Sequence, residues 1–443
     1  MTSAWDYEHS DLPLREHGLR RSLAQEIRAR PYKLLTAPAQ ITFVAVLSGE
    51  QGFDAARAHV ADLCAAHGAS APAEEANHFD HDFGAFHLKW ERHTEFCSYT
   101  FFRTGTVERP FEQTAIDLVP ADWLAALPGE VLVATHVAFE GDETPERPPS
   151  DLAALFTATT VSGSNMLGAR ARVWTDFRIT GDGFSRILVR DLGLNRRAAG
   201  RLMQRLLEVE TYRMMAMLAF PVAKQAQPQV YEAERGLGEL MAQLAEGPAE
   251  TDEQQLLDRL SELAARIEAL SARTNYRFSA ARAYYALVRR RVEELREERI
   301  EGLQPPGEYL YRRLIPAMET CASVAERQAA LSRRIAQASD MLRTRVDVAL
   351  EAQNKDLLQS MDRRAQLQLR LQETVEGLSV VAISYYLIGL VAYAANSLKA
   401  AGLPINADIS AGLALPIVLG LVWIGVRRLR RAVTGRKDGE SRS

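Results

Sequence analysis

Cysteine is scarce: Cys64, Cys97 and Cys321 are the only three in 443 residues. Thiols so few, far apart and odd in number exclude a disulfide framework and suit a reducing compartment. An excess of charge of one sign is also missing, since 53 Lys and Arg stand against 57 Asp and Glu, a formal net charge of −4. No nucleic-acid partner is expected from that balance, because such proteins concentrate basic residues. The opening MTSAWDYEHSDLPLREHGLRR has no apolar run behind its charges, so no signal peptide is expected. Catalytic fingerprints are lacking too: there is no Gly-x-Ser-x-Gly elbow, no His-Glu-x-x-His and no dinucleotide glycine pattern. GSNMLG at 163–168 lacks the Lys-Ser/Thr ending of a phosphate loop. With neither a nucleophile beside a base nor a metal ligand set, no enzyme activity and no cofactor is expected.

Residues 317–403 contain no proline, and 317–376 no glycine either. With its Ala, Leu, Arg, Gln and Glu this stretch reads as helix, and Leu331, Ile335, Ala338 and Leu342 mark its packed stripe. A helix begun near Glu308 would run without a break into residues 377–398, which carry no charge. Those 22 residues would span roughly 33 Å as helix, enough for a hydrocarbon core of about 30 Å. Residues 409–426 form a second uncharged run, of roughly 27 Å. The pair predicts a two-helix transmembrane hairpin.

Basic residues orient it. Arg427, Arg428, Arg430, Arg431, Arg436 and Lys437 follow the second run, Arg363, Arg364 and Arg370 precede the first, and the connecting loop has Lys399 opposed by Asp408. Positive residues favour the cytoplasmic side, which places both the N-terminal body and the C-terminal tail in the cytosol, at an inner membrane. Tyr385, Tyr386, Tyr393 and Asn396 in the first run need partners or water. Gly412, Pro416, Gly420 and Gly425 shape the second, where glycines admit close helix packing.

Upstream, Leu256, Leu260, Leu263, Ile267 and Leu270 form a heptad stripe that resumes, after a polar interruption, at Tyr285, Val288, Val292 and Leu295. The Gln304-Pro305-Pro306-Gly307 break ends this helix. A shorter helix before Gly247-Pro248 joins the same bundle.

The N-terminal part has another texture. QITFVAVL, GAFHLKWERH, EFCSYTFF, EVLVATHVAF, ARVWTDFRI and FSRILVRD are short β-branched and aromatic runs, many alternating. Thr180-Gly181-Asp182-Gly183 predicts a tight turn joining the last two. Helices are expected in DAARAHVADLCAAHG and ADWLAAL, and from Asn195, as cap, to a stop at Pro221. The richest polar cluster, His78-Phe79-Asp80-His81-Asp82, reads as a solvated loop before a strand; His78, His81 and Asp82 are its candidate metal ligands.

Three segments carry a family resemblance: EIRARP at 26–31, LKWERHTEF at 88–96 and GRLMQRLLEVETYRMMAMLAFPVA at 200–223. With the closing pair of apolar runs, they resemble a family of bacterial membrane-anchored proteins known only as a domain of unknown function (3422). Arg28 stands where that family usually has His. The resemblance implies an inner-membrane location and no known activity. The order of parts also resembles the CorA-type metal ion transporters, homopentamers whose first span lines a cation pore ending in Gly-Met-Asn. The comparable place here reads Tyr393-Ala394-Ala395-Asn396.

The expected architecture is thus an α+β cytosolic domain (1–222), a long antiparallel helical, coiled-coil stalk (223–376), a transmembrane hairpin (377–426) and a basic tail (427–443). The expected role is a membrane-anchored, non-enzymatic scaffold or regulator, homo-oligomeric through its stalk, with the lipid bilayer as a partner. The alternative is a CorA-like cation channel with Tyr393 and Asn396 lining the pore and divalent cations as its cargo.

Overall fold

The computed structural model describes residues 17–21, 23–24, 32–74, 76–105, 109–156, 160–245, 253–400 and 407–434. The chain divides into two compact units, Met1–Ser339 and Asp340–Ser443.

The first unit is built on a nine-stranded mixed sheet. Its strands are β1 (Ala39–Leu47), β2 (His78–Asp82), β3 (His87–Arg92), β4 (Phe96–Thr104), β5 (Glu130–Glu140), β6 (Ser162–Met166), β7 (Ala171–Thr175), β8 (Ser185–Asp191) and β9 (Glu298–Arg299), in the order β2-β3-β4-β1-β5-β8-β7-β6-β9. Only β5 and β8 run parallel among these pairs. Strand β1 sits near the middle, which is why AQITFVAVL is apolar or hydroxylated at almost every position and buried on both faces.

One face is closed by α1 (Gly49–Ala66), whose Phe53, Ala56, Val60 and Leu63 recur at helical spacing. They pack on Val44, Trp90, Tyr99 and Phe101 of the sheet. Two short helices, α2 (Ala121–Ala125) and α3 (Pro149–Leu155), extend this cover. Leu152 and Phe156 meet Ala138, Trp174 and Leu188 in a second cluster.

The other face carries α4 (Arg196–Met217), capped as expected by Asn195, whose Oδ1 accepts the Ala198 N–H at 2.8 Å. Pro221 does not close this helix. The chain turns at Leu218, and Pro221 falls in the first turn of α5 (Ala219–Ala245), where its missing N–H removes no ladder bond.

Helix α5 packs against α6 (Glu253–Leu295), and α6 against the start of α7 (Pro306–Ala400). Cross-helix contacts fix antiparallel registers: Arg273 with Gln229 and Arg259 with Gln243 between α5 and α6, Thr274 with Gln328 between α6 and α7. All five predicted heptad residues of α6 are buried. The stripe is not interrupted after Leu270, because Thr274, Phe278 and Ala281 continue it in the interior. Nor does α6 last until the proline pair: it ends at Leu295, Arg296 turns with φ +51°, and β9 joins the sheet edge against β6. Helix α6 also lies along α4, tied by Arg205–Glu294 at 3.0 Å and by Arg291–Glu208. The helices up to Ser339 fall in the same compact unit as the sheet.

Helix α7 begins at the Pro306-Gly307 break, contains Pro316, and continues through the uncharged run to Ala400, as the lack of proline from residue 317 on predicts. It is long and apolar enough to cross a membrane; the most apolar 18-residue window has mean hydropathy 1.9 and is 11% buried. Helix α8 (Ala407–Thr434) takes in the second uncharged run. Gly247-Pro248, residues 26–31, most of the connecting loop and the tail beyond Thr434 lie outside the described residues.

Candidate functional site

Alternation along β3 and β4 sorts side chains to the two faces of the sheet. Leu88 and Trp90 of β3, with Cys97, Tyr99 and Phe101 of β4, enter the core under α1. The opposite face of these strands presents Lys89, Glu91, Ser98, Thr100 and Phe102. A polar face of this kind ordinarily meets water, but here α4 covers it. Between them lies a cavity of about 270 Å³.

Its geometry depends on Gly200. A Cβ there would come within 1.9 Å of the Lys33 carbonyl oxygen, so only glycine lets residues 32–35 cross α4 this closely. The Leu35 N–H donates to the Arg196 carbonyl at 3.2 Å, and Arg201 Nη1 donates to the Tyr32 hydroxyl at 3.2 Å. The crossing sets the Lys33 ammonium over the Phe102 ring, 5.2 Å from its centroid.

Most charges in the lining are matched. Lys89 Nζ lies 3.0 Å from Glu91 Oε1. Arg291 reaches over from α6 to Glu208, which also accepts from Gln204 Nε2 at 2.8 Å. Lys33 has no carboxylate within ion-pair distance among the described residues. Burial pushes its ammonium below the ordinary lysine value against the pull of Asp80 and Asp82. Thr100 is 5% exposed, lines the cavity, and makes no side-chain hydrogen bond among the described residues.

Two of the three segments that carry the family resemblance meet here. LKWERHTEF contributes Lys89, Glu91, His93 and Phe96, while the segment that opens at Gly200, within α4, contributes Met203, Gln204, Leu207 and Glu208. Tyr32 and Lys33 directly follow the third segment, 26–31, which lies outside the described residues.

The candidate metal residues are placed differently from the expectation. His78–Asp82 is strand β2 at the sheet edge, not a loop, because its alternation pairs with β3 from His78↔Glu91 to Asp82↔His87. Alternation puts His78 and Asp82 on one face and His81 on the other, so the three do not converge. His81 instead meets Phe83 edge-on. Asp80 lies 2.7 Å from His87, and Asp82 Oδ1 accepts the Gly84 N–H at 2.9 Å. No group of three or more His, Cys, Asp or Glu fit to hold a metal occurs among the described residues. Tyr393 and Asn396 both lie exposed on α7. GSNMLG at 163–168 is β6 with the turn after it, and Gly163 gives room to Trp174 and Leu303.

Fold and site together define a class: a mixed-sheet domain with a ligand-sized polar cavity, continued by a long helix with an apolar segment. The chain belongs to the family described as protein of unknown function (DUF3422), whose model matches residues 15–433. No curated protein matches it. Among solved structures it is similar to that titled "structure of the full-length CmaX protein", at 14% identity and a TM-score of 0.17, over 67% of this chain and 89% of that one. So slight a likeness transfers neither fold nor function. The comparisons lend the CorA-type resemblance no support.

Proposed function

We propose that this protein is a membrane-anchored, non-enzymatic scaffold or regulator at the inner membrane, homo-oligomeric through its helical stalk. Residues 377–426 act as a two-helix hairpin in the bilayer, with the sheet domain and the basic tail both in the cytosol. The observation that carries this reading is the outward apolar surface of α7. Leu378, Val381, Tyr385 and Leu390 are each at least 65% exposed, whereas a soluble helix this apolar would bury such side chains. The polar linker and the basic residues after 426 set the topology.

The alternative, a CorA-like homo-oligomeric cation channel with Tyr393 and Asn396 along its pore, rests on residue types alone. One series of measurements separates the two. The full-length protein is expected to stay with membranes under carbonate extraction, to keep both termini shielded from protease outside intact spheroplasts, and to run as a homo-oligomer in mild detergent. Recovery in the soluble fraction, or a strict monomer, overturns the proposal. A pentamer that conducts divalent cations into vesicles would transfer the reading to the channel.

A further inference from the structure

We propose that the cavity between the sheet and α4 binds a small organic anion with an apolar, ring-sized body, its acid group held by Lys33 and Thr100. The inference stands on the cytosolic domain alone and does not depend on the membrane reading.

Charge decides the class of ligand. The lining places three strong cations, Lys33, Lys89 and Arg291, against two carboxylates, Glu91 and Glu208. Glu91 and Glu208 are each engaged by a cation at contact distance, and Arg291 is shared further with Glu294 at 3.0 Å. Lys33 is left over. The nearest opposite charges, Asp80 and Asp82, act from beyond ion-pair range, and both are already occupied, by His87 and by the Gly84 N–H. A half-buried ammonium with an aromatic ring but no carboxylate at contact distance pays for its lost hydration unless an anion reaches it. Among the described residues of the lining, a ligand amine would find no free carboxylate.

A second observation points the same way. Thr100 lines the cavity, and its hydroxyl makes no hydrogen bond among the described residues, so it is free to donate to a ligand. It stands on the sheet floor, and Phe102, two residues on along the same strand face, carries the Lys33 ammonium over its ring. An acid oxygen bound by Lys33 can accept from this hydroxyl as well.

Size and apolar surface define the body. The cavity of about 270 Å³ equals roughly nine water volumes, room for a single ring and its acid group. Phe43, Phe96, Leu35 and Leu207 provide the apolar wall. A carboxylate and a phosphate ester share this chemistry, and the test distinguishes them.

The experiment is titration calorimetry on the full-length protein in detergent with benzoate, phenyl phosphate and, as a control of opposite charge, benzylamine. Saturable binding of one or both anions and none of benzylamine is expected, and the tighter anion identifies the acid group. Lys33→Gln should weaken that anion about 10- to 100-fold, and Thr100→Val, nearly isosteric, should weaken it several-fold. Thermal melting of both variants without ligand checks that they fold. If neither anion binds wild type, if benzylamine binds equally well, or if folded Lys33→Gln and Thr100→Val both bind like wild type, the proposal is wrong.

Discussion

Gly200 shows how much of the site hangs on one missing side chain. Because the atom it would strike is the Lys33 backbone carbonyl, at 1.9 Å, no rotamer change can relieve the contact. Gly200→Ala is expected to cost about 1–3 kcal/mol, seen as a lower thermal midpoint. An unchanged midpoint would mean that residues 32–35 move aside freely. Two other residues set a pH response with opposite signs. His136 is buried, stacked 3.9 Å from Phe184, with Nδ1 2.9 Å from Thr42 Oγ1. Burial pushes its imidazole down to about 4, so the stability it contributes is present above about 6.5 and is lost as pH falls towards 4. Glu297 accepts the Gly307 N–H with both oxygens, at 3.1 and 3.0 Å, yet burial outweighs that bond and raises its carboxyl to about 7. Its contribution is full below about 4.5 and is lost as pH rises through about 7. Between about pH 4.5 and 6.5 the two slopes oppose each other. Glu297→Gln removes one of them, so the variant should gain on wild type by roughly 1–3 kcal/mol between about pH 5 and 8. Denaturation midpoints of both proteins at several pH values measure this, and parallel curves would refute it.

At the scale of elements, α6 was the most legible part of the chain. Its leucine stripe lies in the interior at all five predicted positions, because a heptad repeat leaves a helix one apolar face to bury. Ile267→Ala should therefore cost about 2–4 kcal/mol, while Glu262→Ala on the exposed side should stay within about 0.5 kcal/mol. Equal effects in chemical denaturation would contradict this packing. Strand β2 was read as a loop because His, Asp and Phe in alternation lack the β-branched signal, and it is pairing with β3 that holds it extended. The two residues of β9 are too few for any periodicity; only the end of α6 beside β6 creates that strand. Thr274 falls in the stretch that reads as a polar interruption of the stripe, yet it is buried with its Oγ1 3.1 Å from Gln328 Oε1. A partner 54 residues away cannot be read from local pattern.

For the whole molecule, the test lies in the uncharged segment of α7. Leu390 sits near its middle and is 66% exposed. Leu390→Arg is expected to disfavour insertion by about 2.5–3.5 kcal/mol and to shift protein from the membrane fraction into the soluble or degraded pool. Unchanged recovery with membranes would remove this segment from the anchor. The sequence by itself determined the succession of parts: an alternating β-rich region, heptad helices, and one long helix, free of proline from residue 317 on, entering an uncharged run. Each of those is a periodicity or an absence along the chain, and burial follows it directly. Only the tertiary structure decided where the cavity lies. Lys89, Glu91, Ser98 and Thr100 alternate with core residues and by pattern belong to a solvent face. They become the lining of a cavity because Gly200 lets residues 32–35 cross α4 and because Arg291 arrives from α6. Contacts between residues so distant along the chain leave no mark on local spacing.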